Sequence, residues 1–289
     1  MRAPSPRTVL AAALLCFFVL ASLGAGPTGA AEEPSTAPAT ALGEDAQAPQ
    51  DDLTGRDIYQ CVLDNRFASY IQHSSLLSGD RGGATQTSKL RMTWRSFREK
   101  EKKVLSRTLV KYLDPFDLRF SGYLIQNNNM RPNDQFVYLA ATRRVRRVNL
   151  RREAVFGTDF TFEDVVPKEI EDGDYERLPD KVQDGTPVYT VQVTPKEHAD
   201  SDYSKYVVHV EKEHCVPLLT LYWDDKGIEI KNLTAPFSKV EEIDGVYVPM
   251  ELTMRNLQLD TFTTLTITDL EPNPKLHRKV FDLSRLESH

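Results

Sequence analysis

The sequence predicts a mainly β domain built as one large antiparallel sheet, and three observations carry that expectation. From Leu90 onward apolar and polar residues alternate with a period of two through about eleven separate runs, the pattern of strands with one buried face. Tight-turn signals stand between several runs, at Asp184-Gly185, Asp225-Lys226-Gly227 and Asp244-Gly245. The returns are too short for crossover helices, which favours antiparallel pairing over βαβ units. A sheet of that size must curl to cover one face. No fixed-period repeat occurs, so the choices are a closed barrel, a sandwich, or an open curved sheet whose concave side is filled by the N-terminal helix.

The elements follow in order. Arg2 and Arg7 precede the apolar run Val9 to Leu23, and small residues lead to Thr28-Gly29-Ala30. This is the pattern of an export signal cleaved after residue 30, and the apolar run is short of the ~20 residues that a spanning helix needs. Cys16 lies mid-run after Leu14-Leu15, where a lipidation site wants a small residue. Residues 31–52 are rich in Ala, Pro, Glu, Asp and Gln and hold no aromatic or β-branched aliphatic residue, so they read as a disordered spacer. One folded domain is expected over 53–289.

Within it, Thr54 is a helix N-cap, and Ile58, Cys61, Val62 and Asn65 share a helical face. The apolar stretch Phe67 to Leu77 is expected to extend that helix or to form a second, until the Gly-rich run 78–83 breaks it. Strands are expected at 90–95, 103–112, 117–126 and 135–149. In the second half they fall at 187–194, 204–212, 216–223, 227–234, 237–243, 246–257 and 261–270. An outer-membrane barrel is excluded, because Arg143-Arg144-Val145-Arg146-Arg147 would place charge on both faces of a lipid-facing strand.

Composition narrows the function. The 289 residues carry 36 Lys+Arg against 42 Asp+Glu, a formal charge of −6, which argues against a dedicated nucleic-acid binder. Three cysteines cannot build a disulfide scaffold, so the fold must rest on an apolar core. Cys61 and Cys215 would sit in an oxidising compartment, where a bridge and two buried thiols are both open. No Gly-x-Ser-x-Gly elbow, phosphate loop, dinucleotide fingerprint or His-Glu-x-x-His pair occurs. His209, Glu211, Glu213 and Cys215 share a strand face, but neighbours there lie ~6.6–6.8 Å apart. No metal and no other cofactor is therefore expected.

Residues 143–152 hold six arginines in ten positions, suited either to internal pairing or to an anionic lipid or protein partner. Next, Phe156-Gly157-Thr158-Asp159-Phe160-Thr161-Phe162-Glu163-Asp164 combines a turn, three aromatics and three acids. The acids could serve acid–base chemistry. With no nucleophile beside them, the preferred reading is a turn with its phenylalanines inward and Asp159 and Asp164 pinned to Arg144 and Arg147.

These two blocks, led in by Phe136-Val137-Tyr138-Leu139-Ala140, resemble a bacterial family of outer-membrane lipoprotein-sorting proteins related to the LolA, LolB and LppX carriers. Its members show an aromatic-x-Tyr-Leu-Pro stretch, an Arg-rich run, then Gly-Ser-Asp-Phe and an acidic pair. Asp114-Pro115-Phe116-Asp117-Leu118-Arg119 before Gly122, and Asp224, Gly227 and Lys231 after Tyr222, agree in order, so the likeness spans roughly 85–285. Ala140 and Thr158 depart from the family's Pro and Ser. The family motif falls on Arg143, Arg144, Arg146, Arg147, Gly157, Thr158, Asp159, Phe160 and Asp164.

The resemblance implies an unclosed β-barrel with the N-terminal helix on its concave face. It also implies a non-enzymatic, monomeric carrier of lipid or lipoprotein acyl chains in the bacterial periplasm, served by an export machine in the inner membrane. A carrier needs a concave apolar lining. Leu90, Met92, Trp94, Leu118, Phe120, Leu124, Val137 and Leu139 are the alternating positions expected to supply it, with Met adapting to irregular ligands.

Overall fold

In the computed structural model, residues 51–288 are described; the expected export signal (1–30), nearly all of the spacer (31–52) and His289 lie outside the described residues. Helix α1 (Gly55–Asp64) opens on a capping box. The Thr54 hydroxyl accepts from the Asp57 amide at 3.2 Å, and the Asp57 carboxylate accepts from the Thr54 amide at 3.0 Å. Ile58 and Tyr59 form its buried face.

The strands that follow are β1 (Ser69–Gly79), β2 (Thr85–Ser96), β3 (Val104–Asp114), β4 (Gly122–Asn128), β5 (Asp134–Leu139) and β6 (Arg144–Val148). After a long segment without strands come β7 (Gly173–Gln183), β8 (Thr186–Pro195), β9 (Lys205–Glu211), β10 (Pro217–Trp223) and β11 (Glu229–Thr234). The chain ends with β12 (Val240–Ile243), β13 (Val246–Pro249), β14 (Glu251–Asn256), β15 (Thr261–Pro272) and the short α2 (Leu283–Glu287).

Thirteen strands form one sheet in the order β6-β5-β4-β3-β2-β1-β15-β14-β11-β10-β9-β8-β7, with β12 and β13 as a separate hairpin. Every neighbouring pair is antiparallel. The first and last strands pair at the centre, Leu76 opposite Leu265. The two edges, β6 and β7, do not pair, so the sheet is open. One apolar cluster nevertheless unites Leu90, Tyr112 and Tyr123 of one half with Val191, Tyr206 and Val208 of the other. Side chains so far apart in strand order meet only because the sheet curls.

Two pieces fill the hollow. Helix α1 packs on β7 and β8, its Tyr59 ring 4.7 Å from that of Tyr175. Segment 149–172 runs from one free edge to the other and puts Val155, Phe160, Phe162 and Ile170 into the same core. On the outer face Phe97, Leu109, Leu124 and Tyr138 are covered by Phe281 and Leu286 from the C-terminal turn and α2. Cys61 of α1 is bridged to Cys215 in the β9–β10 turn, with Cα atoms 5.7 Å apart, which resolves the choice between a bridge and two thiols.

Several expectations are corrected. Residues 67–77 are not helical: β1 occupies 69–79, because a short apolar run carries no decisive period and here β2 and β15 supply partners on both sides. The expected strand 117–126 starts only at Gly122, after a turn through 115–121 with Phe120 at φ 69°. Residues 135–149 divide into two strands around a turn at Thr142 and Arg143. Residues 246–257 divide at Met250 between the hairpin and the main sheet. Strand β7 went unforeseen, since GDYERLPDKVQ is highly charged and carries Pro179, which suits only an edge. The turns Asp184-Gly185 and Asp244-Gly245 both have positive φ at each residue, as tight hairpin returns require.

Close packing of β3 on β4 depends on a glycine. A Cβ at Gly122 would lie 2.0 Å from the Val110 carbonyl oxygen, so no other residue fits there without moving β3 from β4.

The bridge closes a loop of 154 residues. Cys61→Ala with Cys215→Ala, or reduction of the native protein, is expected to cost about 2–4 kcal/mol of stability. Thermal unfolding with and without a reductant reads this, and equal midpoints would contradict it.

Candidate functional site

The concave face is not completely filled. A cavity of about 430 Å³ remains between β1–β4, β14–β15, segment 149–172 and the β12–β13 hairpin. That is within the usual range of ligand pockets. Leu76, Leu90 and Met92 form one wall, Leu252, Leu265 and Ile267 another, and Val246 to Pro249 of the hairpin lie across it. Val155, Phe160, Val165 and Val166 of the crossing segment form the remaining side. A larger hollow of about 550 Å³ is lined by Arg131, Arg147, Arg151, Lys168, Glu163 and Asp200. Its charges are engaged in ion pairs, Arg131 and Arg147 with Asp134, Arg151 with Asp200 and Lys168 with Glu163. It has no comparable apolar wall, so the apolar cavity is the candidate site.

The expected lining residues distribute unevenly. Leu90 and Met92 line the cavity. Trp94 is buried one layer away, stacked on Tyr70 at 5.5 Å. Leu118 and Val137 pack against the inner core without reaching the cavity. Leu124 faces outward in the cluster under α2, while Phe120 and Leu139 are 40% and 41% exposed at strand ends. The reason is parity: with β4 starting at Gly122, Tyr123 and Ile125 point into the core and Leu124 away from it. Tyr123 was missed for this reason, and Tyr70 and Leu76 because β1 read as helix.

The acidic turn is where the crossing segment is fastened. Gly157 at φ 79° and Phe156 at φ 47° turn the chain, and the Thr158 hydroxyl donates to the Val155 carbonyl at 2.8 Å. The Asp159 carboxylate accepts from the hydroxyls of Thr261 and Thr263 on β15, the latter at 2.9 Å. Glu163 accepts from the Asp202 amide at 2.9 Å and from the Ser201 hydroxyl. Asp164 accepts from the Tyr203 hydroxyl at 2.6 Å and pairs with Lys231 of β11 at 3.1 Å. The expected pairing of Asp159 and Asp164 with Arg144 and Arg147 is therefore wrong. Strand β6 lies at the far edge from β11, and Arg147 pairs with Asp134 instead. Phe160 and Phe162 are buried, and Phe156 packs on Tyr112 at 4.7 Å. The exposed Arg143, Arg144 and Arg146 form no ion pair among the described residues.

At its other end the segment is held by Glu169, 2% exposed, between Arg66 at 3.1 Å and Arg98 at 2.8 Å. Of the four side chains weighed for a metal, Cys215 is taken by the disulfide. Glu211, Glu213 and His214 do bring ligand atoms within 4.8 Å of one another. However, Glu211 already accepts from the amides of Glu213 and His214 at 2.8 and 2.7 Å, closing its turn.

With the cavity and its fastenings in place, the chain can be set beside known proteins. A family model with the description "Uncharacterized protein" matches residues 105–288. The chain belongs to that family. Its fold is LolA-like, as three solved structures establish. The first is a domain assigned as an outer membrane lipoprotein-sorting protein from Vibrio parahaemolyticus, 23% identical, TM-score 0.74, covering 81% of this chain and 98% of that one. The second is a DUF1329 family protein from Desulfovibrio piger, 22% identical, TM-score 0.74, covering 81% and 100%. The third is a LolA superfamily protein from Nitrosomonas europaea, 16% identical, TM-score 0.63, covering 80% and 98%. No curated protein matches by sequence. Among the described residues no helix is long and apolar enough to cross a membrane.

Lys231→Met strands the Asp164 carboxylate, and breaking a buried pair in this way costs about 3–5 kcal/mol. Denaturant unfolding should show that loss; a change under about 1 kcal/mol would mean that the pair is not buried in solution. Burial raises the hydroxyls of Tyr59 and Tyr70 to about 12. A raised folded value means that their contribution to stability is complete below pH ~10, the unfolded value, and is lost as pH climbs through 12. Absorbance titration at 295 nm should show these tyrosines ionising late, together with unfolding, and not near pH 10.

Proposed function

We propose that this protein is a periplasmic, non-enzymatic carrier that shields acyl chains of a lipid or lipoprotein during transport through the bacterial envelope. In this reading residues 1–30 are the export signal, 31–52 a spacer and 53–289 the carrier domain. The observation that carries it is the apolar cavity of about 430 Å³ on the concave side of an open LolA-like sheet. Each CH₂ moved there from water gains ~0.8 kcal/mol, so a long acyl chain would be held without any charged contact. The three acids that could have supported hydrolysis have their oxygens occupied by donors of the chain itself, which favours a holding role over a chemical one. An export machine in the inner membrane is the partner this reading implies, and the carrier acts as a monomer.

A second reading, an interaction module of an envelope complex, is favoured by one observation. Arg143, Arg144 and Arg146 lie exposed at the free edge β6 with no ion pair among the described residues. Reversing the charge of Arg144 and Arg146 would then abolish partner capture and spare lipid binding.

Native mass spectrometry with lipid extraction, on protein purified from a bacterial periplasm, tests the first reading. Discrete adducts of lipid mass are expected, and Met92→Trp, which puts an indole into the cavity, should remove them while the fold is kept. A clean apo mass, repeated after incubation with lipid vesicles, would overturn the carrier reading.

A further inference from the structure

Three tyrosines of the main sheet, Tyr70, Tyr112 and Tyr123, stand in the wall of the cavity; Tyr247 of the hairpin and the polar Asn65, Arg66, Gln72, Thr158 and Asp164 share a lining that is otherwise apolar. Elsewhere in the same core, buried tyrosine hydroxyls find oxygen partners. Tyr203 donates to Asp164 at 2.6 Å, Tyr175 donates to the Glu169 carbonyl at 3.3 Å, and Tyr59 and Tyr206 meet at 3.4 Å. The three in the wall do not. The Tyr112 hydroxyl, on a side chain 1% exposed, is buried without any hydrogen-bond partner. Tyr123, 2% exposed, also donates to nothing among the described residues. Tyr70 reaches only the Met92 sulfur at 3.4 Å, a weak acceptor.

Their placement is a consequence of sheet register. Leu90 lies opposite Tyr112, Met92 opposite Val110, and Val110 opposite Tyr123. Tyr112 and Tyr123 thus occupy neighbouring rows of one face on β3 and β4, and both rings rest on Phe156, at 4.7 and 6.4 Å. Burial, and after it the proximity of Tyr112 and Tyr70, holds the Tyr123 hydroxyl well above its ordinary value, so these groups are neutral donors at any physiological pH. Buried donors without acceptors weaken a fold, and they are most readily reconciled with a ligand that brings the acceptor.

The acceptor should be uncharged. Arg66 is the one cation in the lining, and its guanidinium is engaged by Glu169. A carboxylate or phosphate placed among the tyrosines would carry a charge into apolar surroundings without a counter-ion. We propose that the Tyr123 hydroxyl donates to the carbonyl oxygen of an acyl ester or amide and that the Tyr112 hydroxyl, closed off from the hollow in the ligand-free protein, joins it on a small shift of its ring, fixing the depth at which the chain sits. This rests on the carrier reading and adds to it the chemical group that is recognised.

The test compares methyl palmitate, palmitate and hexadecane as competitors of a fluorescent acyl probe, on the native protein and on Tyr112→Phe/Tyr123→Phe. The native protein should hold the ester roughly five- to tenfold tighter than the alkane, and tighter than the carboxylate. In the double variant, whose rings still pack, the preference for ester over alkane should vanish. Equal binding of ester and alkane by the native protein, or an unchanged preference in the variant, overturns this inference and leaves the carrier reading standing. Tighter binding of palmitate overturns the uncharged acceptor. Failure of all three to compete overturns both readings. An independent readout is the ligand-free melting temperature, which Tyr112→Phe should raise by about 2–4 °C because an unsatisfied donor is removed. A fall would mean that the hydroxyl already has a partner, and would also overturn the proposal.

Discussion

A thirteen-stranded sheet whose two edges never meet has an apolar face that it cannot cover alone, and the rest of the structure answers that constraint. Closure would have removed both edges and made a filled barrel. Here the chain itself crosses from β6 to β7 over the hollow. The crossing carries its own phenylalanines and valines, and α1 covers the side near β7 and β8. The cavity is what these two fillers leave unfilled. Neither is a strand or a long helix along the wall facing β1 and β15, so the side chains there meet only part of the surface opposite.

The crossing segment has almost no regular structure, and polar contacts therefore do the work that backbone pairing does elsewhere. Asp159 is tied to β15, Glu163 to the 201–202 turn, Asp164 to β11 and Glu169 to Arg66 and Arg98. The carboxylates of Glu163, Asp164 and Glu169 are buried and that of Asp159 is half-buried, and each meets a donor, as burial of charge demands. The consequence for the cavity is electrostatic. With the acids spent on anchoring, the polar atoms left facing the hollow belong mainly to neutral side chains.

Much of the fold could be read from residue order, and the failures have identifiable causes. Alternation at Leu90, Met92 and Trp94 marked β2, and Asp-Gly pairs marked the hairpins, because both signals are local. The open, LolA-like shape was reached through the Arg-rich and Gly-Thr-Asp-Phe blocks, not through periodicity. Strand β1 was misread because Phe67 to Leu77 offers apolar residues at spacings that suit either element, and only the distant β15 decides. Leu124 was turned the wrong way by a strand start misplaced before Gly122, since one residue of slip exchanges the two faces of a strand. The partners of Asp159 and Asp164 were out of reach altogether: Thr263 and Lys231 are remote in sequence and brought near only by the curl.

The bridge between Cys61 and Cys215 has a consequence for how the molecule responds to force. It encloses every strand from β1 to β9, and the crossing segment with them, in one covalent ring. A chain pulled from its ends, as by a secretion motor or an optical trap, can pay out only what lies outside that ring. The 154-residue separation withholds ~500 Å of extended chain, at ~3.3–3.6 Å per residue. Under tension the oxidised protein would release β10 to β15 and the hairpin over the cavity while its other half stays tethered. Mechanical load would thus open the cavity from the C-terminal side first.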